Sequence, residues 1–158
     1  MVNFICSMIK KLNQSSKIVA NKIFDIFQNS YKIEAELIGV SNFPPLNRSV
    51  DKIQGAKTTF YGFLDNDELA AIIEVDVVDS CLEIDSLTVH PSYFRRGIAG
   101  KLIRFLLDNI VFSRAVVETA TANLPAITLY EKHGFVEFKR WTPSHGIPKI
   151  ALSIERLD

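Results

Sequence analysis

Val89-His90-Pro91-Ser92-Tyr93-Phe94-Arg95-Arg96-Gly97-Ile98-Ala99-Gly100 is the stretch whose reading decides the fold. The alternating, β-branched run from Leu82 to Val89 reads as a strand, and Pro91 stops it. Beyond it Ile98, Leu102, Phe105 and Leu106 recur at helical spacing. A strand that turns tightly into a glycine-opened helix leaves the first amide N–H groups of that helix unpaired. At the positive end of the helix dipole such amides form a seat for phosphate. Gly97 and Ala99 carry little or no side chain, so a pyrophosphate can approach the main chain closely. Arg95, Arg96, Lys101 and Arg104 add local positive charge beside this seat. The segment therefore predicts a phosphorylated cofactor.

The rest of the composition narrows the class. With 158 residues, 47% of them hydrophobic and 23% charged, the chain reads as one domain over 1–158 with a sizeable core. Eighteen basic residues balance eighteen acidic ones, so no global field draws in nucleic acid or an anionic membrane surface. Cys6 and Cys81 lie outside any metal-ligand spacing and read as buried, reduced thiols of a cytoplasmic protein. No apolar run reaches the ~20 residues that span a bilayer. Lys10 and Lys11 follow the apolar start rather than precede it, so Val2 to about Ile9 is expected as a first strand, not a signal peptide. Oligomeric state is not legible, and a homodimer stays open.

Outward from the central stretch, the periodicities give an element order. Ser15-Ser16 caps a helix carried by Ile18, Val19, Ile23, Ile26 and Phe27, and a second, shorter helix is expected over Tyr31 to Ile38, ended by Gly39. Ser41 to Leu46, with adjacent prolines, is expected to be irregular. Thr58 to Leu64 and Leu69 to Val78 flank a hairpin turn at Asp65-Asn66-Asp67-Glu68, and Asp79-Ser80 turns the chain into Leu82 to Val89. A helix over Gly97 to Asn109, a strand over Ala115 to Ala120 and an Asn123-capped helix through Lys132 follow. Phe135 to Trp141 and Ile147 to Ile154 close the chain as a hairpin. The sum is an α/β fold, a mixed sheet with helices on both faces. Within the central strand Leu82 and Ile84 share one parity while Leu87 and Val89 share the other. Either a β-bulge accomplishes the switch or the strand is buried on both faces. A bulge would splay the strand from its parallel neighbour and open backbone groups to an extended ligand.

Two segments carry a resemblance. Val-His-Pro-Ser-Tyr-Phe-Arg-Arg-Gly-Ile-Ala at 89–99 resembles the cofactor loop of the GNAT superfamily of acyl-CoA-dependent N-acetyltransferases, written Gln/Arg-x-x-Gly-x-Gly/Ala. Asn123-Leu124-Pro125-Ala126 with Leu129-Tyr130-Glu131-Lys132-His133-Gly134-Phe135 is similar to its second signature. The likeness covers nearly the whole chain, with one departure: Phe94 stands where the loop usually has Gln or Arg. The resemblance implies acetyl-CoA as cosubstrate and an amine of a small molecule or peptide as acceptor. It implies that backbone N–H groups of Arg96, Gly97, Ile98, Ala99 and Gly100 hold the pyrophosphate, with Arg95 and Lys101 beside them. Leu87, Thr88 and Val89 would pair with the pantetheine arm, Asn123 and Ala126 would contact it, and Tyr130 would lie near the sulfur.

Acetyl transfer from a thioester needs a neutral amine, a stabilised carbonyl oxygen and a proton for the departing thiolate. An alkylamine has a pKa near ~10.4, so a base or a desolvating pocket must help. Some histone-modifying members of the superfamily use a strand glutamate eleven residues before the cofactor loop, and Glu83 has that spacing from Phe94. Asp85, Glu118 and Glu74 are alternatives, as is a merely solvated Glu83. Tyr130, a phenol protonated at neutral pH, is the expected proton donor to the thiolate, or else an ordinary packed tyrosine. The acceptor side is expected from Tyr31 to Arg48, including Phe43-Pro44-Pro45-Leu46, and from the final hairpin near Trp141. Glu34 and Glu36 there would suit a cationic acceptor or simply be solvated. His90, His133 and His145 show no metal spacing and no Ser-His-Asp grouping, so no metal is expected. A non-catalytic acyl-CoA sensor is the other reading. A dinucleotide or P-loop domain is disfavoured by the absence of both glycine motifs.

Overall fold

The computed structural model describes residues 7–156. Its elements are β1 (Ser7–Lys11), α1 (Lys17–Ile38), α2 (Val50–Gln54), β2 (Thr59–Asp65), β3 (Glu68–Val78), β4 (Cys81–Val89), α3 (Ile98–Asn109), β5 (Arg114–Ala120), α4 (Leu124–Lys132), β6 (Val136–Trp141) and β7 (Lys149–Glu155). The strands form one seven-stranded mixed sheet in the order β1-β2-β3-β4-β5-β7-β6. Among the described residues only β4 and β5 pair in parallel, and α3 is the connection between them. The expected strand start over Val2 to Cys6, and Cys6 itself, lie outside the described residues. Cys81 is half-buried rather than buried.

Each face of the sheet has its own core. On one, α1 and α2 set Ile23, Phe27 and Ile53 against Phe60 and Ile72. On the other, α3 and α4 set Leu102, Leu106 and Tyr130 against Ile73, Leu82, Ile84 and Val117. The two turns flanking β3 are tight because four non-glycine residues accept the left-handed region: Asn66, Asp67, Asp79 and Ser80 have φ between 49° and 67°.

Two expectations are corrected. The two helices expected over residues 15–38 are one continuous helix of 22 residues. The polar break at Gln28-Asn29-Ser30 is bridged because Phe27 and Tyr31, one turn apart, pack at 5.4 Å between ring centroids. Asn29 Nδ2 also donates to the Asp25 carbonyl at 2.8 Å. The segment 41–46 is not wholly irregular: Pro44–Asn47 makes a 3₁₀ turn, after which α2 follows. Prolines are compatible with the first positions of a helical turn, where the N–H would be unpaired anyway.

Candidate active site

The parity switch in β4 is a bulge. Glu74 pairs with Ser86 and Val75 with Ile84, which leaves Asp85 as the extra residue. Leu82, Ile84, Leu87 and Val89 consequently all face the α3 side, while Ser86 points to Glu74 and Thr88 lies opposite Ile72 on the α1 side. The β4–β5 ladder stops at the pair Ile84 and Val117, one residue before the bulge. Past that point the two strands part, and the β4 backbone facing β5 has no ladder partner.

The expected anion seat lies at the end of the parted strand. Arg95 and Gly97 both take the left-handed region, at φ +63° and +72°, with Arg96 between them. Left-handed residues set into a turn like this gather successive N–H groups into a concavity that suits an anion. The first backbone bond of α3 is donated by the Lys101 N–H to the Gly97 carbonyl, leaving the amides of Ile98, Ala99 and Gly100 outside the helical ladder. A Cβ at Gly97 would meet nothing within 4 Å, so the space above the seat is open. At Gly100 a Cβ would meet the His133 ring at 3.3 Å, so glycine there allows α4 to pack closely behind. Arg96 rests over the Tyr93 ring at 5.1 Å, beside the seat.

Seat and parted strands open into one cavity of about 750 Å³. Leu87, Val89, the run Arg95 to Gly100, Asn123, Ala126 and Tyr130 all line it. Two residues expected at the site, Lys101 and Glu83, lie elsewhere. Lys101 is exposed, with Nζ over the Phe63 ring at 5.7 Å. Thr88, expected at the site through its main chain, buries its side chain on the α1 face, where its hydroxyl has no partner among the described residues. Glu83 does not line the cavity: it is still paired with Val116, on the closed part of the sheet. The carboxylates that do line it are Asp85, Glu118 and Glu34. Trp141 is likewise outside, its ring between Lys139 and Lys149, and the closing hairpin contributes His145, Ile147 and Lys149 instead.

The charges sort by their partners. Glu118 is paired with Lys149 Nζ at 3.1 Å. Glu74, 2% exposed, receives both arms of the Arg48 guanidinium at 2.7 and 2.9 Å, with Thr58 Oγ1 donating at 2.6 Å and Ser86 Oγ at 3.1 Å. Burial raises its pKa, but these hydrogen bonds outweigh it and hold the carboxyl below its ordinary value. Asp85 has no ion pair among the described residues; desolvation, then the neighbouring Glu74, Glu83 and Asp76, pushes it up to about 6. Burial also raises Glu34, whose Oε1 accepts from Asn123 Nδ2 at 2.8 Å. Asn123 is thereby engaged at both ends, since its Oδ1 accepts from the Ala126 N–H at 3.3 Å as the cap of α4. Tyr130 stacks edge-on against Phe135 at 5.8 Å, and burial followed by the Glu34 charge raises its pKa, keeping the phenol protonated.

A seat of unpaired amides, a parted strand and an apolar-walled cavity fit a pyrophosphate with an extended amide-bearing arm. The Acetyltransferase (GNAT) family model matches residues 21–135. The UPF0157 protein YqkA of Bacillus subtilis (strain 168) is 32% identical over 141 residues, which are 89% of this chain and 41% of that protein. The chain thus spans well under half the length of that curated relative. The PaiA N-acetyltransferase from Thermoplasma acidophilum, solved in complex with coenzyme A, superposes with a TM-score of 0.75 at 15% identity, covering 96% of this chain and 100% of its own. The ribosomal-protein-S18-alanine N-acetyltransferase from Escherichia coli gives 0.74 at 21% identity, covering 95% and 94%. The family match spans both signatures and the bulged strand between the helices, and the chain belongs to the GNAT acetyltransferase family.

Proposed function

We propose that this chain transfers an acetyl group from acetyl-CoA to a primary amine by direct attack in a ternary complex. The observation that carries the reading is the continuity of three features: the amide seat at Arg96 to Gly100, the β4 edge that opens at Ile84, and the unpaired Asp85 at that opening. Acetyl-CoA supplies the activated thioester. The chain's part is to hold, orient and move protons.

The pyrophosphate is held by the backbone N–H groups of Arg96, Gly97, Ile98, Ala99 and Gly100, with Arg95 and Arg96 as nearby charge. Main chain at Leu87 to Val89 receives the pantetheine arm where β5 has turned away. The Leu87 or Thr88 amide is the donor for the thioester oxygen as it gains charge. Asp85, rather than Glu83, is the general base: it lines the cavity, and a pKa of about 6 leaves it mostly ionised at neutral pH yet able to accept a proton. Tyr130, protonated and facing the cavity, donates to the departing thiolate.

Calorimetry with coenzyme A and a free-thiol assay with acetyl-CoA test the two halves separately. Heat on titration, together with amine-dependent thiol release, is the expected result. Coenzyme A binding with no thiol release from amino acids, alkylamines, diamines, aminoglycosides or peptide N-termini overturns the transfer reading and leaves a binding module.

A further inference from the structure

The two ends of the cavity carry opposite charge. Arg95 and Arg96 belong to the seat, whereas the far wall comes from α1, the proline turn and the bulge. Lys149 on that wall is paired with Glu118, and Arg48 behind it with Glu74. Glu34 and Asp85 have no cation within ion-pair distance among the described residues. Two carboxylates without an ion-pair partner in one partly desolvated cavity are costly unless a proton or a cation arrives to neutralise them, and Glu34 keeps an open oxygen for a cation.

Glu34 is not a loosely solvated helix charge. Its Oε1 is fixed by Asn123 Nδ2, and Asn123 is in turn fixed as the cap of α4. Its Oε2 has no hydrogen-bond partner among the described residues. Glu36, two positions on, is exposed and outside the lining. Tyr31 and Phe43 pack edge to face at 5.8 Å on the same wall and offer an apolar, π-rich surface to an alkyl stem and a cationic head.

The geometry points to Glu34 as the specificity-determining residue that receives a second positive charge on the acceptor, which makes the acceptor class a primary amine bearing a further ammonium group, as in an alkyl diamine. Asp85 serves the reacting amine, and Glu34 reads the one that does not react. This inference rests on the acetyl-transfer reading and adds to it a charge rule that the fold alone does not impose.

Initial rates of thiol release from acetyl-CoA with α,ω-diamines of three to six carbons, each against the n-alkylamine of equal chain length, test it. A hydrogen-bonded charge pair corresponds to about 10- to 100-fold in affinity, so the KM of the best diamine is expected to be lower than its monoamine's by about that factor. Glu34→Gln keeps an amide oxygen that accepts from Asn123 but removes the charge. That variant is expected to collapse the diamine-to-monoamine ratio to about 1 while coenzyme A affinity in calorimetry stays within about twofold. Transfer with no diamine preference, or a preference that survives Glu34→Gln, overturns the inference and leaves acetyl transfer standing. Silence with every amine despite coenzyme A binding overturns both.

Discussion

Replacing Asp85 by Asn removes the one charge that the bulge delivers to the point where β4 and β5 part. With a pKa pushed up to about 6, chiefly by desolvation, the wild-type carboxylate is mostly ionised at pH 7 and only about a tenth ionised at pH 5. If the acceptor enters as ammonium and Asp85 takes its proton, kcat/KM falls about tenfold per pH unit below 6. Asp85→Asn is expected to lower kcat by about 10²- to 10⁴-fold and to abolish that acidic limb. Stability moves the other way. An acid whose folded pKa is raised favours the native state only while protonated, a contribution present below the ordinary value of 3.8 and lost as pH rises through about 6. The Asn variant should therefore melt higher than wild type at pH 7 and no higher at pH 3. The assays are thiol release from pH 4.5 to 8 and thermal melts at the two pH values. An acidic limb that persists in Asp85→Asn would refute the assignment and move the base to another group.

Three other substitutions test separate parts. Tyr130→Phe is expected to reduce kcat by about 10²-fold or more with coenzyme A affinity nearly unchanged, read by steady-state rates and calorimetry. Gly97→Val is expected to abolish coenzyme A binding, because a branched side chain would fill the open space over the seat. At φ +72° it also adds about 1–2 kcal/mol of backbone strain, a drop of roughly 2–8 °C in Tm. Arg48→Ala strands the buried Glu74 and is expected to cost about 3 kcal/mol, since the arginine is partly exposed. The wild-type Glu74 contribution is present above the ordinary glutamate pKa and lost as pH falls through its depressed folded value, so the melting temperatures of wild type and variant should converge in acid.

The seat was legible because its determinants are local: a strand, a proline stop and small residues opening a helix lie within twelve consecutive positions. The bulge was legible only as one of two readings, since a change of parity between Ile84 and Leu87 fits either an inserted residue or a strand buried on both faces, and the pairing register decides for the first. Which carboxylate it delivers was not legible. Counting back from the loop selects Glu83, but the ladder to β5 persists through Ile84 and holds Glu83 on the closed sheet. Only the pairing shows that the strands part between Ile84 and Asp85. The continuity of α1 was hidden by the polar Gln28-Asn29-Ser30, because side-chain contacts across that turn carry the helix, not its propensities. The Glu34 to Asn123 contact joins positions 89 residues apart, and nothing local to either predicts it.

The bulge and the proposed acceptor wall are joined by side-chain hydrogen bonds. Ser86, next to the inserted Asp85, donates to the carboxylate that Arg48 clamps from both sides. Arg48 directly follows the 3₁₀ turn Pro44–Asn47, and Gln28 Nε2 of α1 donates to the Leu46 carbonyl in that turn at 2.9 Å. The turn presenting Phe43, Pro44 and Pro45 to the cavity is thus tied to α1 at one point and to the bulge at another. A wall pinned twice cannot swing as a lid without breaking the bidentate Arg48–Glu74 ion pair. Under the proposed transfer, acceptor selection would accordingly rest on a preformed surface, its carboxylates placed in advance, rather than on closure around whatever enters.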